Sequence, residues 1–257
     1  MEQHTNPLDQ HFHLPHVRRI DPSRPIAWLR MGWQDLGGNP VASLTYGVVL
    51  ALVGGLILSL ADGMPYLFVA AVSGFFLVGP IAAAGLYEIA RREEQGEVIG
   101  FADSLRGLRG HGDQLMFFGV FLAISLLAWE RLSAILFALF GHGETALVGN
   151  FFRDIFLSGA HLEFMAAYVI LGGVLAAAVF ALSVIAIPML MHRDTDVVTA
   201  MMSSARAVAN NLRAMALWAA IIVALIAVGF ATFLIGLIVI LPVLGYASWH
   251  AYRELIE

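Results

Sequence analysis

Long apolar runs separated by short polar segments dominate this chain. A helix that crosses about 30 Å of hydrocarbon needs about 20 mostly apolar residues. Six runs reach that length, and together they predict an all-α membrane protein with six transmembrane helices. The predicted spans cover residues 42–61, 66–87, 114–133, 164–187, 213–229 and 231–250. The last two are divided near Gly229, because the apolar stretch 213–250 is about twice the length of one span.

The arginines predict the orientation of these spans. All 14 basic residues are arginine. Under a six-span arrangement twelve of them fall on one side of the membrane, and only Arg131 and Arg153 fall on the other. Because positively charged loops stay in the cytoplasm, both termini are predicted to be cytoplasmic in a bacterial inner membrane. An arrangement with five spans would place the C-terminus outside and lose part of this bias.

Three short segments share one helical pattern, with apolar residues at positions i, i+4 and i+7. These residues are Leu29, Trp33 and Leu36; Phe101, Leu105 and Leu108; and Met201, Ala205 and Val208. Three residues after each last apolar position stand Asn39, His111 and Asn211. Each segment leads into an odd-numbered span, so the pattern predicts three interfacial amphipathic helices on the cytoplasmic surface.

The even-numbered spans share a proline, at Pro80, Pro188 and Pro242. We therefore predict three copies of one unit, made of an interfacial helix, an outward span and an inward span. The copies cover about residues 28–92, 98–194 and 197–254. The alternative is a chance match, since few residues per copy carry the pattern. Copy two has an outer insertion over about residues 131–162, which contains an apolar stretch from Leu132 to Phe140 and has room for one or two surface helices.

Composition supports a membrane protein and excludes several kinds of metal, cofactor and nucleotide site. Hydrophobic residues make up 60% of the chain and charged residues 13%, against about 25% charged in soluble domains. There are 0 cysteines, which excludes disulfides, thiolate metal sites and c-type haem attachment. No phosphate-cradling loop and no HExxH zinc motif occurs. The histidines lie near span ends or in loops, which argues against a haem at mid-membrane depth but not against one near an interface. No cofactor is predicted.

The first 27 residues are predicted to form a flexible cytoplasmic tail ahead of a single six-span domain over residues 28–257. Four prolines interrupt this segment, which disfavours regular structure. It also holds four histidines, at His4, His11, His13 and His16. Imidazole binds zinc, copper and nickel, but the spacing fits no closed site, so incidental histidines in a solvated tail are the favoured interpretation.

Polar residues gather at the cytoplasmic ends of the even-numbered spans and form the candidate site. If three copies ring a common axis, these ends converge into one cytoplasmic polar cluster. Its predicted members are Tyr87, Glu88, Arg91, His192, Arg193, Asp194, His250, Tyr252 and Arg253. Such a cluster could bind a partner protein, an anionic lipid headgroup or a soluble anion. The competing interpretation is ordinary anchoring of helix ends at the membrane surface.

Several longer motifs resemble a known family. They are Ile187 to Asp196, Ala200-Met201, Ser204 to Ala207, Trp218-Ala219, Gly236 to Gly245, Trp249 to Arg253, and the opening segment from Trp28 to Pro40. Together they resemble an uncharacterised bacterial integral membrane family, domain of unknown function 2189, over roughly residues 17–254. The family usually has a leucine-aspartate pair where this chain has Met191 and His192. Some members are labelled as a cytochrome c oxidase subunit, which implies a respiratory link at best, and the family brings no established active residues.

These patterns favour a non-enzymatic role, because no catalytic constellation is present. The favoured function is an accessory or scaffold subunit of a membrane complex, with a respiratory complex as one candidate. The alternative is a transporter or channel for a small solute or lipid, which would need a cavity lined by polar side chains. A membrane enzyme ranks third. The expected partners are the lipid bilayer and other membrane subunits, and no nucleic acid is expected, because basic residues interleaved with aromatic ones are missing.

Overall fold

The computed structural model describes residues 14–60, 79, 81, 83–140 and 162–257. Over these residues the chain folds into α-helices, as the sequence predicts. In chain order they are α1 (Arg24–Gly38), α2 (Pro40–Leu60), α3 (Ala84–Glu94), α4 (Phe101–Gly107), α5 (Gly112–Phe140), α6 (Leu162–Ser183), α7 (Ala186–His192), α8 (Val197–Asn210), α9 (Leu212–Ala231) and α10 (Leu237–Leu255). A 3-10 turn, Leu108–His111, joins α4 to α5.

Within the described residues, 4 segments are long and apolar enough to cross a membrane. They are Pro40–Leu60, Phe101–Leu136, Leu162–His192 and Leu212–Ala231. These segments contain predicted spans one, three, four and five, so the multi-pass character is confirmed. Most of predicted span two lies outside the described residues. Predicted span six corresponds to α10, whose C-terminal half is too polar to join this group.

Helix α10 forms the centre of the described bundle, with α1, α2, α3 and α9 packed around it. The side chains of Tyr246 and Trp249 on this helix are 0% exposed. Helix α2 approaches it at Gly47, where a Cβ would overlap the carbonyl oxygen of Ile238. Only glycine permits such close contact between two backbones. Close backbone approach and packed aromatic side chains therefore hold the helices around α10.

A reversal over residues 232–236 separates α9 from α10, just beyond the predicted division at Gly229. Phe233 and Leu234 take positive φ angles of 52° and 68° there, which bulky side chains adopt only at a cost. Leu237 folds back onto Gly229, where a Cβ would overlap its Cδ2 atom. Because the reversal takes up residues 232–236, α10 begins at Leu237, later than the sequence predicts.

The two ends of the described chain lie side by side. Val17 and Ile256 form an antiparallel bridge, and the amide of Arg18 donates to the carbonyl of Leu255 at 2.9 Å. Helix α1 begins at Arg24, inside the segment predicted as tail, because Pro25 occupies its first turn, where proline costs no hydrogen bond. The expectation that prolines exclude regular structure up to residue 27 is therefore wrong for the last part of that segment.

Helices α1, α4 and α8 occupy the three segments with the shared apolar pattern, and the predicted face is buried only in part. Leu36 is 8% exposed, whereas Trp33 and Leu105 are 61% and 42% exposed. The position one residue before the middle apolar residue is buried in each helix, at Gly32, Ser104 and Ser204. The physical reason is that small residues let helices approach closely, while larger apolar side chains on the other face are free to contact lipid. Periodicity alone does not distinguish these two apolar environments.

The predicted outer insertion begins as a continuation of a long helix. Residues 131–140 belong to α5, which runs unbroken for 29 residues. The apolar stretch from Leu132 to Phe140 therefore extends the helix of predicted span three, since no residue there interrupts the helical hydrogen bonds. The remainder of the insertion, from residue 141 to residue 161, lies outside the described residues.

A side chain fills a break between α6 and α7. The helix is interrupted at Val184 and Ile185, four and three residues before Pro188, whose ring cannot continue regular helical bonding. The amide of Ile185 donates to the Ser204 hydroxyl oxygen at 3.1 Å. The same hydroxyl donates to the carbonyl of Ala181 at 2.7 Å. Ser204 thus replaces one lost helical hydrogen bond by two bonds of its own, and it fixes α8 against the break.

Candidate functional site

The ends of α7 and α10 meet at a buried tyrosine. The hydroxyl group of Tyr252, a residue that is 1% exposed, lies 2.7 Å from Nδ1 of His192. The Nε atom of Arg193 donates to the same hydroxyl oxygen at 3.2 Å. The sequence predicted that these two helix ends converge, and the structure brings these three predicted members together. The candidate site is therefore built around Tyr252.

Aromatic rings form the wall behind this group. The indole of Trp249 stacks on Tyr87 with 6.4 Å between ring centroids and meets the ring of His192 edge-on at 5.7 Å. Its Nε1 atom donates to Glu94 at 2.8 Å, and the same carboxylate pairs with Arg253 at 3.2 Å. Helix α3 thus joins the site through Tyr87 and Glu94.

The negative charge of Glu88 is balanced by two arginines of its own helix. Its side chain is 1% exposed and forms ion pairs with Arg91 at 2.8 Å and with Arg92 at 2.9 Å. Burial raises the pKa of Glu88, but hydrogen bonds from Arg91 and Arg92 and their positive charges outweigh it and leave the pKa below its ordinary value. The carboxylate also packs against the backbone of Gly107 in α4. The ion pairs lie within α3, and the carboxylate they hold contacts α4 through Gly107.

Two other predicted members lie apart from Tyr252. His250 points to a different helix and contacts Asp35 of α1 through Nε2 at 2.6 Å. Asp194 is exposed and forms no hydrogen bond or ion pair within the part of the chain that the structure describes. His250 therefore fixes α10 to α1, and Asp194 adds a negative charge at the edge of the site.

A second polar contact near the chain ends was not predicted from the sequence. Glu254 accepts two hydrogen bonds from Arg24, at 2.6 and 3.0 Å, and a third from Nε1 of Trp28 at 2.6 Å. The hydrogen bond and charge of Glu254 raise the pKa of the Arg24 guanidinium. Because Trp28 is 0% exposed, this carboxylate satisfies a donor that burial would otherwise leave unpaired.

Sequence reasoning also missed Trp249 and Glu94, although a helical signal was available for the first. Trp249 and Tyr252 are three residues apart on α10, so they lie on one helix face. Nothing in the sequence pairs Glu94 with a residue 155 positions away. That contact depends on how α3 packs against α10, which only the tertiary structure provides.

Side chains that could bind a metal ion do not cluster in the described residues. No group of three or more histidine, aspartate or glutamate side chains suited to a metal occurs in residues 14–60, 83–140 or 162–257. His16, the last histidine of the tail, lies 3.2 Å from Glu257. The other three tail histidines lie outside the described residues, so the interpretation of the tail stays a prediction.

Comparison with known proteins finds one family match. Residues 67–192 match the model of the family described as predicted integral membrane protein, DUF2189. This match covers just under half of the chain and is narrower than the resemblance over residues 17–254. No curated protein and no solved structure matches the chain. The helices, the membrane-length apolar segments and this match agree, and over residues 67–192 the chain is similar to the DUF2189 family of predicted integral membrane proteins.

Proposed function

We propose that this protein is a non-enzymatic accessory or scaffold subunit of a bacterial inner-membrane complex, with six spans and both termini in the cytoplasm. The observation that carries this proposal is the contrast between its centre and its outer surface. Tyr246, Trp249 and Leu237 of α10 are 0% exposed, so closely packed side chains fill the centre of the described bundle. In contrast, only 17–28% of each candidate span is buried within the chain. The large apolar surface is suited to lipid and to other membrane subunits.

The contact between the chain ends supports an even number of crossings. The bridge between Val17 and Ile256 requires that both segments lie on the same side of a membrane. Four candidate spans satisfy this requirement, and so do six, once predicted span two and α10 are added. Five spans do not. The arginine distribution then favours the cytoplasm as the common side.

Equivalent positions in the three predicted copies support the internal repeat. The residues seven positions before Asn39, His111 and Asn211 are the buried Gly32, Ser104 and Ser204. Seven positions after the same three residues stand Tyr46, Phe118 and Trp218, which are 5%, 0% and 0% exposed.

Contacts between successive copies run in one direction around the bundle. The Tyr46 hydroxyl of copy one is hydrogen-bonded to Ser104 of copy two at 2.7 Å. Trp218 of copy three packs edge-on against Trp28 of copy one at 5.8 Å. The Asn39 amide donates to Ile99 of copy two at 2.8 Å. A ring in which each copy contacts the next, closed by α1 on α10, is the arrangement that three repeated hairpins would form.

The alternative function is a transporter or channel for a small solute or lipid. Broken helices near mid-membrane often mark transport sites, and the break before Pro188 is the feature that favours this alternative. However, the Ser204 hydroxyl already occupies that break. Because its backbone groups are paired within the chain, they are not available to a solute. The accessory role is therefore the better supported of the two.

The test is purification of the tagged full chain from its native membrane in a gentle detergent, with mass spectrometry and a visible absorption spectrum. We expect stoichiometric recovery of subunits of one membrane complex, and loss of that complex on native gels when the chain is deleted. A colourless chain recovered alone, with all membrane complexes assembled in the deletion strain, would refute the accessory role. Uptake activity in vesicles of the purified chain would favour the transporter.

A further inference from the structure

We infer that Arg193 and His192, held by Tyr252 at the end of α7, form a binding site for a phosphate group. This inference does not depend on the accessory role. It uses the proposed orientation only to place the site on the cytoplasmic side.

The hydrogen bonds at Tyr252 leave only donors facing outward. Arg193 uses Nε to reach the Tyr252 oxygen, so both terminal nitrogens of its guanidinium group stay available. The buried Tyr252 proton needs an acceptor, and Nδ1 of His192 lies at 2.7 Å. Donation to Nδ1 places the imidazole proton on Nε2, at the exposed edge of His192. The outward surface therefore offers guanidinium and imidazole donors without an acceptor, which is the complement of an anion.

The local charge balance also favours an anion. Arg193, Arg253 and Arg91 all act electrostatically on His192, and Glu94 is the one acidic group that acts on it among the described residues. Glu94 is already shared between Trp249 and Arg253. No carboxylate in the described part of the chain lies within ion-pair distance of Arg193. An arginine fork held in place but not neutralised is suited to phosphate, which it can bind through two parallel hydrogen bonds.

The depth of the site decides which phosphates can reach it. The candidate span Leu162–His192 ends at His192, so Arg193 lies at the level of lipid headgroups. Anionic phospholipid headgroups and free phosphate share the same recognition chemistry there. Asp194, exposed beside Arg193, also opposes an anion, and because it forms no ion pair among the described residues it provides a variant with the opposite expected effect.

The test uses the full chain, stripped of lipid in a neutral detergent. Bound phosphatidylglycerol is counted by native mass spectrometry, with phosphatidylcholine as the headgroup control. We expect Arg193→Gln to weaken phosphatidylglycerol binding by about tenfold or more, as expected for the loss of charge-assisted hydrogen bonds. Arg30→Gln removes an equal charge from the exposed face of α1 and should weaken binding by about twofold at most, because a single exposed charge is largely screened. Asp194→Asn should strengthen binding.

A variant without a charge change separates the site from general electrostatics. Tyr252→Phe releases both donors and should weaken binding even if Arg193→Gln fails to fold. Displacement of the lipid by millimolar inorganic phosphate would identify soluble phosphate as a ligand, and lipid binding that resists it would identify the headgroup. Equal losses in Arg193→Gln and Arg30→Gln, equal binding of the two lipids, or no binding of either lipid or phosphate would overturn the inference.

Discussion

Removing the Ser204 hydroxyl tests how the break between α6 and α7 is stabilised. Ser204→Ala deletes the acceptor for the Ile185 amide and the donor to the Ala181 carbonyl. Each buried backbone group left without a partner costs about 1–3 kcal/mol. Partial closure of the helix would recover some of this cost, so we expect the free energy of unfolding to fall by about 2–3 kcal/mol. That is a large share of the stability of an ordinary domain.

The neighbouring serine is a matched control. Ser203 is also 0% exposed, but its hydroxyl donates to the Thr199 carbonyl in its own helix at 2.7 Å. That carbonyl lies four residues back, where the helix already supplies a donor, so Ser203→Ala leaves no orphaned group. We expect Ser203→Ala to change the free energy of unfolding by less than about 1 kcal/mol.

Stability is measured by following tryptophan fluorescence during unfolding in mixed micelles with increasing denaturing detergent. The two variants should differ by about 1–2 kcal/mol, with Ser204→Ala the less stable. Equal stability would refute the reasoning. In that case hydrogen exchange should show the Ile185 amide still protected in Ser204→Ala, because the helix would have closed across the break without help from α8.

Three further predictions concern packing, pH and topology. Gly47→Ala should prevent folding or cost about 3 kcal/mol or more, since the new Cβ would overlap a backbone carbonyl of α10. Gly37→Ala, which meets nothing within 4 Å, should be neutral or slightly stabilising; equal thermal stability of the two variants would contradict this packing. The folded-state pKa of Glu88 is lowered, so its stabilisation is present above its ordinary pKa and is lost as the pH falls through the folded value. Glu88→Gln should therefore be less stable than wild type at neutral pH, with a gap that closes below about pH 4, and a gap that does not vary with pH would contradict this. Because the chain has 0 cysteines, single cysteines at Val98 and Leu162, both exposed, should react with impermeant maleimide from opposite sides of the membrane, and reaction from one side only would refute the proposed topology.

The membrane character and most helix positions could be predicted from the sequence, because lipid requires long apolar helices whatever their neighbours are. Predicted span one, residues 42–61, nearly coincides with α2, Pro40–Leu60. The end of α9 was less predictable. Phe233 and Leu234 take left-handed angles although neither residue type favours them, and the turn depends on α10 packing back onto α9 through Leu237 and Gly229.

The candidate site was predicted in part for a similar reason. Convergence of His192, Arg193 and Tyr252 follows from helices that end at one surface, which the repeat predicted. The separation of His250 from them does not follow. Successive positions on α10 point in different directions. His250 contacts Asp35 because α1 packs against that side of α10. The polar residue types predicted where the helices end. Which polar groups share a surface depends on how α1, α3 and α7 pack around α10.

The same packing explains why small residues take part in the contacts between copies alongside aromatic ones. In water, a large apolar side chain gains most by facing the protein interior. In a bilayer or at its surface, lipid offers such a side chain an equally apolar environment, so close backbone approach and hydrogen bonds help to decide which face is buried. Gly32 fits this rule by touching the backbone of α10, where a Cβ would lie 2.5 Å from the Val243 carbonyl oxygen. Ser204 fits it by donating to the Ala181 carbonyl of α6. Both residues face a peptide group on a neighbouring helix, one through bare contact and the other through its hydroxyl, and a search for small residues seven positions before a helix junction would have found both.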